Sequence, residues 1–184
     1  SVFARATDGS LAVQAHARGD VASMRIVVLG IGNILLTDEG VGVRVVDELA
    51  RRYRLPPEVA VIVGGCSGME MLDDLARADH VIIVDAVRAD LPPASLVELR
   101  GDDVPAFFTA KLSPHQLGLC DVLAALKLTD ESPANLLLIG VQPLSLDLAM
   151  HLSPRVAAIV PIIVARVVRE LEAQGVRPVL RAAA

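Results

Sequence analysis

Aromatic side chains are nearly missing from this 184-residue chain, which has no tryptophan, one tyrosine and three phenylalanines. Val, Leu, Ile and Ala must therefore fill the core, and a hydrophobic fraction of 53% is ample for one domain of this length. Positive charge is also short, with 17 Lys and Arg against 22 Asp and Glu for a net charge of −5. With no basic stripe either, the chain does not read as a nucleic-acid binder. Two cysteines, Cys66 and Cys120, are too few for a disulfide framework and read as reduced cytosolic thiols. Long apolar runs are lacking as well. The most hydrophobic stretch, Val156 to Val168, contains Pro161 and Arg166 and falls short of the roughly 20 apolar residues of a membrane span. It reads as a buried helix, and no membrane association is expected.

Residues 1–23 scatter Asp8, Gly9, Gly19 and Asp20 among alanines, with no apolar core of secretory length. They read as a disordered extension, with the folded domain expected over residues 24–184. From Met24 onward, strand-like and helix-like segments alternate. Arg25 to Gly30 reads as a strand, and Val41, Val45, Val46 and Leu49 form the apolar face of a helix. After the Pro56-Pro57 break come strand Val59 to Val63, the Gly64-Gly65 turn, helix Met69 to Ala76 and strand Val81 to Val84. Ser95 to Arg100 reads as a further strand, a helix runs from near His115 to Leu128, and Leu136 to Val141 is another continuous apolar strand. A last helix is expected over Ser153 to Gln174, started by Ser153-Pro154 and stopped by Gly175. This alternation predicts an α/β fold, a three-layer α/β/α sandwich around a mostly parallel sheet.

Three polar residues stand where such a fold exposes loops. Glu39 follows a strand and glycine turns at the head of a helix. Asp85 ends the β-branched run His80 to Val84, and His115 follows Ser113-Pro114 at a helix start. Loops of this kind converge beyond the carboxyl ends of parallel strands. Two carboxylates and an imidazole form a mixed oxygen and nitrogen ligand set that suits a borderline divalent ion such as nickel or zinc. Each residue also has a plainer reading: a helix-start acid favouring the macrodipole for Glu39, with Thr37 or Asp38 as the cap, a turn aspartate for Asp85 and a solvated histidine for His115. Gly30-Ile31-Gly32-Asn33 resembles a dinucleotide fingerprint, but Leu35 stands where its third glycine belongs, and a tight strand-to-helix turn accounts for the glycines. Cys66 at its turn reads as a small structural thiol, with a nucleophilic thiol the alternative.

Gly30-Ile31-Gly32-Asn33, Asp38-Glu39-Gly40-Val41-Gly42, Gly64-Gly65 with Gly68-Met69-Glu70, Asp85-Ala86, and Ser113-Pro114-His115-Gln116-Leu117-Gly118-Leu119 occur in this order. Together they resemble the nickel-iron hydrogenase maturation endopeptidases, from Met24 to the last helix. The resemblance implies a twisted, mainly parallel five-stranded sheet. It also implies an endopeptidase that removes a C-terminal extension from the hydrogenase large-subunit precursor after nickel insertion; a cytoplasmic monomer is expected. Glu39, Asp85 and His115 match the family's metal-binding positions, and the nickel is expected to arrive on the precursor. Asp38 matches a position linked to substrate or nickel recognition and is the expected catalytic residue. Val63 and Cys66 depart from the aspartate and threonine common around the paired glycines, which touches substrate contact more than activity. The same ligands would serve a non-catalytic nickel-dependent maturation scaffold, and Cys66 would serve a cysteine hydrolase.

Overall fold

The computed structural model describes residues 24–65, 71–110 and 114–182, with the backbone alone at 65, 109–110 and 114–117. The extension 1–23, Cys66 and Ser113 lie outside the described residues. Strands β1 (Ile26–Ile31), β3 (Val59–Gly65), β4 (His80–Ala86), β5 (Leu96–Arg100) and β6 (Asn135–Val141) form one sheet in the order β3-β1-β4-β6-β5. All neighbours are parallel except β5, which runs antiparallel to β6 at the edge. Because the chain steps from β1 outward to β3 and then returns to β4 on the other side of β1, the strand order reverses between β1 and β4. Such a switch point opens a crevice beyond the carboxyl ends of those two strands.

Every residue of β1 and β4 is buried, as continuous apolar strands covered on both faces should be. Alternate residues face opposite layers. Ile26, Val28, Ile82 and Val84 pack with Val41, Val45, Val46 and Leu49 of α1 (Val41–Arg52) and with Ile163, Val164 and Val167 of α6 (Val160–Ala173). On the other face Val27, Leu29, Ile31, Val81 and Ile83 pack with Phe108 of α3 (Asp103–Ala110) and with Leu119, Val122 and Leu126 of α4 (Pro114–Leu128). Leu75 of the short α2 (Leu72–Leu75) joins them. The expected three layers are thus present. A minor antiparallel pair, β2 (Tyr53–Arg54) with β7 (Val179–Leu180), ties the end of α1 to the segment after α6.

The helix expected over Ser153 to Gln174 is two helices, α5 (Pro154–Ala157) and α6, separated at residues 158–159. Pro161 is the cause: it lacks the N–H that a continuous helix would bond to Ala157 and is tolerated only in a first turn, which is where α6 holds it. Ser153 does cap α5, its hydroxyl accepting from Val156 N at 3.4 Å. Thr37 and Asp38 do not cap α1, whose start makes no side-chain cap bond. Their polar atoms are engaged elsewhere.

Candidate active site

Two of the three expected ligands lie on or after adjacent strands, Asp85 in β4 and Glu39 beyond β1. Asp85 is the sixth residue of β4, paired in register with Gly140 of β6, and is 0% exposed at the carboxyl end of the strand. Glu39 lies in a single 3-10 turn, Thr37–Gly40, between β1 and α1, and is partly buried. Glycines set the depth of that turn. Gly32 has a φ of +128°, and a Cβ there would stand 1.7 Å from the Glu39 carbonyl oxygen, so only glycine lets the two backbones meet. At Gly42 a Cβ would stand 2.1 Å from Val84 O and 2.3 Å from Ile31 O. The first turn of α1 therefore rests directly on the ends of both β1 and β4.

The third expected ligand, His115, falls in the first turn of α4, and its side chain lies outside the described residues. α4 ends near the start of β6, where Asn135 N donates to Asp79 O beside the first residue of β4. Its 15 residues, about 22 Å of helix, match the roughly 23 Å of a seven-residue strand. Leu119, Val122 and Leu126 of the helix are buried in the same cluster as β1 and β4, and a helix of this length running back over those strands would bring its first turn toward their carboxyl ends. Among the described residues no three His, Cys, Asp or Glu side chains cluster at ligand spacing.

Asp38 occupies a different setting. Its carboxylate is 0% exposed and accepts four hydrogen bonds. Oδ2 takes Leu144 N (2.9 Å), Ser145 N (3.0 Å) and Ser153 Oγ (2.8 Å), and Oδ1 takes Ser153 N (2.7 Å). An ionised carboxylate offers about four acceptor positions, so the group is close to saturated. Every donor lies in the Gln142–Ser153 segment that follows β6. Thr37 is bound to the same segment. Its N–H donates to Ala149 O (2.9 Å) and its Oγ1 to Asp147 O (2.5 Å), while its backbone sits at φ +43°. A left-handed β-branched residue is a true outlier costing about 1–3 kcal/mol, sustained only where the surroundings over-determine it.

The segment reaches further still. Ala149 N donates to Leu35 O (3.0 Å), Asp38 N donates to Ser145 O (3.2 Å), and Arg44 of α1 donates to Met150 O (2.7 Å). At its root, the Gln142 side-chain carbonyl accepts Ala89 N (2.8 Å), and Gln142 O accepts Ala94 N (2.9 Å), both from the loop after Asp85. The segment thus fastens the chain just before Glu39 and the chain just after Asp85. Nothing in the sequence near Asp38 announces Ser153, 115 residues away. The available signal was compositional: Gln142-Pro143, Ser145, Asp147 and Ser153-Pro154 are turn and capping residues after a strand.

The opposite edge of the sheet holds a separate polar group. His80, the first residue of β4, is buried, with Nε2 3.5 Å from Glu170 Oε1, and Glu170 is gripped by Arg100 at 2.7 and 3.0 Å. Burial holds the imidazole below its ordinary pKa, against the pull of Glu170, and the Arg100 hydrogen bonds lower that of Glu170. Being at the amino ends of the strands, this group takes no part in the crevice. Cys120, in α4, is partly buried, which raises its thiol pKa, as suits a packing residue. No helix among the described residues is long and apolar enough to cross a membrane.

Comparison with known proteins agrees with this architecture. The hydrogenase maturation protease family model matches residues 43–170. The Escherichia coli K12 hydrogenase 2 maturation protease is 49% identical over 161 residues, 87% of this chain and 98% of that protein. The Rhodobacter capsulatus hydrogenase expression/formation protein HupD is 44% identical over 154 residues, 83% of this chain and 73% of that protein. Among solved structures, the E. coli hydrogenase maturating endopeptidase HybD superposes with a TM-score of 0.84 at 49% identity, covering 86% of this chain and 98% of that one. The Thermococcus kodakarensis nickel-iron hydrogenase maturation protease HybD gives 0.68 at 26% identity, covering 80% and 99%. With its switch-point crevice and its relatives' sequences and fold in agreement, the chain belongs to the hydrogenase maturation protease family and is an endopeptidase that processes a hydrogenase precursor.

Proposed function

We propose that the chain removes the C-terminal extension of a nickel-iron hydrogenase large-subunit precursor once nickel has been inserted, and that it recognises the nickel the precursor carries. The reading is supported by two carboxylates beside the switch point, Asp85 at the carboxyl end of β4 and Glu39 in the turn between β1 and α1, together with His115 in the first turn of α4. Two carboxylates supply charged oxygen donors and an imidazole supplies the nitrogen donor that favours nickel over harder ions. The metal belongs to the substrate. Held by these side chains, it docks the precursor and can polarise a carbonyl or a water beside the scissile bond. Burial of Asp85 strengthens its attraction for a cation, because little water competes there. The enzyme is taken to act as a cytoplasmic monomer, and its net charge of −5 gives nucleic acid no grip.

Processing of purified, nickel-loaded precursor, followed as a shift to the shorter mature subunit on a denaturing gel, tests the reading. Glu39→Gln, Asp85→Asn and His115→Ala should each keep the fold and largely abolish the shift, with strongly non-additive defects because they form one site. Precursor without nickel should stay uncut by the unmodified enzyme. Normal processing by the His115 variant, or equal processing of nickel-free precursor, overturns the assignment. A folded Cys66→Ser protein that fails to process would instead make that thiol the nucleophile.

A further inference from the structure

We infer that the Gln142–Ser153 segment is a positioning strap for the catalytic crevice and that Asp38 is its anchor, acting through Glu39 rather than on substrate. The inference rests on the proposed ligand role of Glu39 and gives Asp38 a different part from the catalytic one its sequence position suggested. Several observations carry it. A fully buried carboxylate with four hydrogen bonds has little acceptor capacity left for a substrate or a metal. All four donors lie on one segment, and Asp38 immediately precedes Glu39. The residue before Asp38, Thr37, is held at positive φ by two further bonds to the same segment, and strain of that kind is found where surroundings fix a functional geometry. On the other side of Glu39, Gly32 presses backbone to backbone against its carbonyl. Glu39 is thereby fixed from both directions. Gln142, at the root of the strap, bonds the loop leaving Asp85, so one segment sets the spacing between the two carboxylates that must grip one ion.

Replacing Asp38 by asparagine keeps size and shape but turns one oxygen into an N–H2 facing N–H and O–H donors. The strap should loosen there and Glu39 should shift with it. A misplacement near 1 Å lowers rates by about 10- to 100-fold, and a loss of that size is expected for Asp38→Asn in single-turnover processing of nickel-loaded precursor, measured well below its melting temperature. A purely structural role would lower the melting temperature and leave the rate of the folded protein unchanged. In a Glu39→Gln background the same substitution should cause little further loss, because the group it positions is already disabled. A folded Asp38→Asn protein with the unmodified rate overturns the inference, as does an equal fold-loss in both backgrounds. If Asp38→Asn does not fold, Ser153→Ala removes one donor and keeps the Ser153 N–H bond. It should slow processing several-fold, and an unchanged rate overturns the inference. Failure of the underlying site is separable: Glu39→Gln and His115→Ala would then process normally, whereas if only the strap is wrong they are defective and Asp38→Asn is not.

Discussion

Adding a single methyl group at Gly42 tests whether α1 rests on the strand ends as closely as described. The Cβ of Gly42→Ala would lie 2.1 Å from Val84 O, 2.3 Å from Ile31 O and 2.8 Å from Ile31 N. All three are backbone atoms of buried strands, so no side-chain rotation relieves the overlap. A carbon meets a carbonyl oxygen comfortably at about 3.3 Å, so the first turn of α1 must move by about 1 Å. Overpacking of this kind costs about 1–3 kcal/mol, while alanine in a helix recovers up to about 1 kcal/mol relative to glycine. The net loss should be up to about 3 kcal/mol, lowering the melting temperature by up to roughly 12 °C for a domain of this size. Because α1 begins two residues after Glu39, the displacement also reaches the crevice, and processing should fall by about 10- to 100-fold. Thermal denaturation followed by circular dichroism, beside a precursor-processing gel, reads both effects. A Gly42→Ala protein that melts at or above the unmodified temperature and processes normally would refute the close packing, since helix propensity alone would then govern the site.

The buried pair at the other edge makes stability pH-dependent. The folded His80 has its pKa lowered by burial, so the unfolded chain takes up that proton first as pH falls, and the stability present above about pH 6.5 is lost on descending below it. Melting temperature should drop between pH 7 and 5 in the unmodified protein and drop less in His80→Leu, with Glu170, Arg100, Glu98 and Arg166 the charged groups to hold constant; an unchanged slope removes His80 as the cause. Glu170→Ala strips the partner from Arg100 and should cost about 1–3 kcal/mol in urea denaturation, whereas a loss below about 0.5 kcal/mol would mean that water replaces it. Arg166→Ala breaks the partly exposed pair with Glu98 and should cost less than about 1 kcal/mol, the loss shrinking further in high salt.

The sheet and its layers were legible because their signals are local. Continuous β-branched runs at Ile26–Ile31 and His80–Ala86 and the apolar stripe Val41, Val45, Val46 and Leu49 announce buried strands and an amphipathic helix without reference to the rest of the chain. α3 is not legible in the sequence because its apolar residues, among them Phe107 and Phe108, form no clear stripe and Pro105 sits near its start, where proline is tolerated but resembles a breaker. The division of the last helix is hidden in the same way, since the apolar pattern continues across the break that Pro161 imposes. At the site, residue types and strand positions made Glu39 and Asp85 readable. The partners of Asp38 and Thr37 were not, because a bond from residue 38 to residue 153 leaves no periodicity in either neighbourhood. Left-handed backbone at a threonine runs against its own preference and is set by tertiary contacts alone.

The strand order divides the labour of the two sheet edges in a way that bears on engineering. The returns at the amino edge, Pro56–Glu58 and the 129–134 connection, join elements whose other ends carry the crevice. Extra length inserted in a return of this type costs loop entropy that grows only slowly, about 0.6 kcal/mol per doubling. A fluorophore or an affinity tag placed within residues 130–132, an exposed part of that connection, would ride some seven strand residues, roughly 23 Å, from the carboxyl ends. The same insertion in the 142–153 segment would part Gln142 from Ser153. Chain length is therefore cheap on one edge and a determinant of geometry on the other, although both are surface loops when judged by sequence alone.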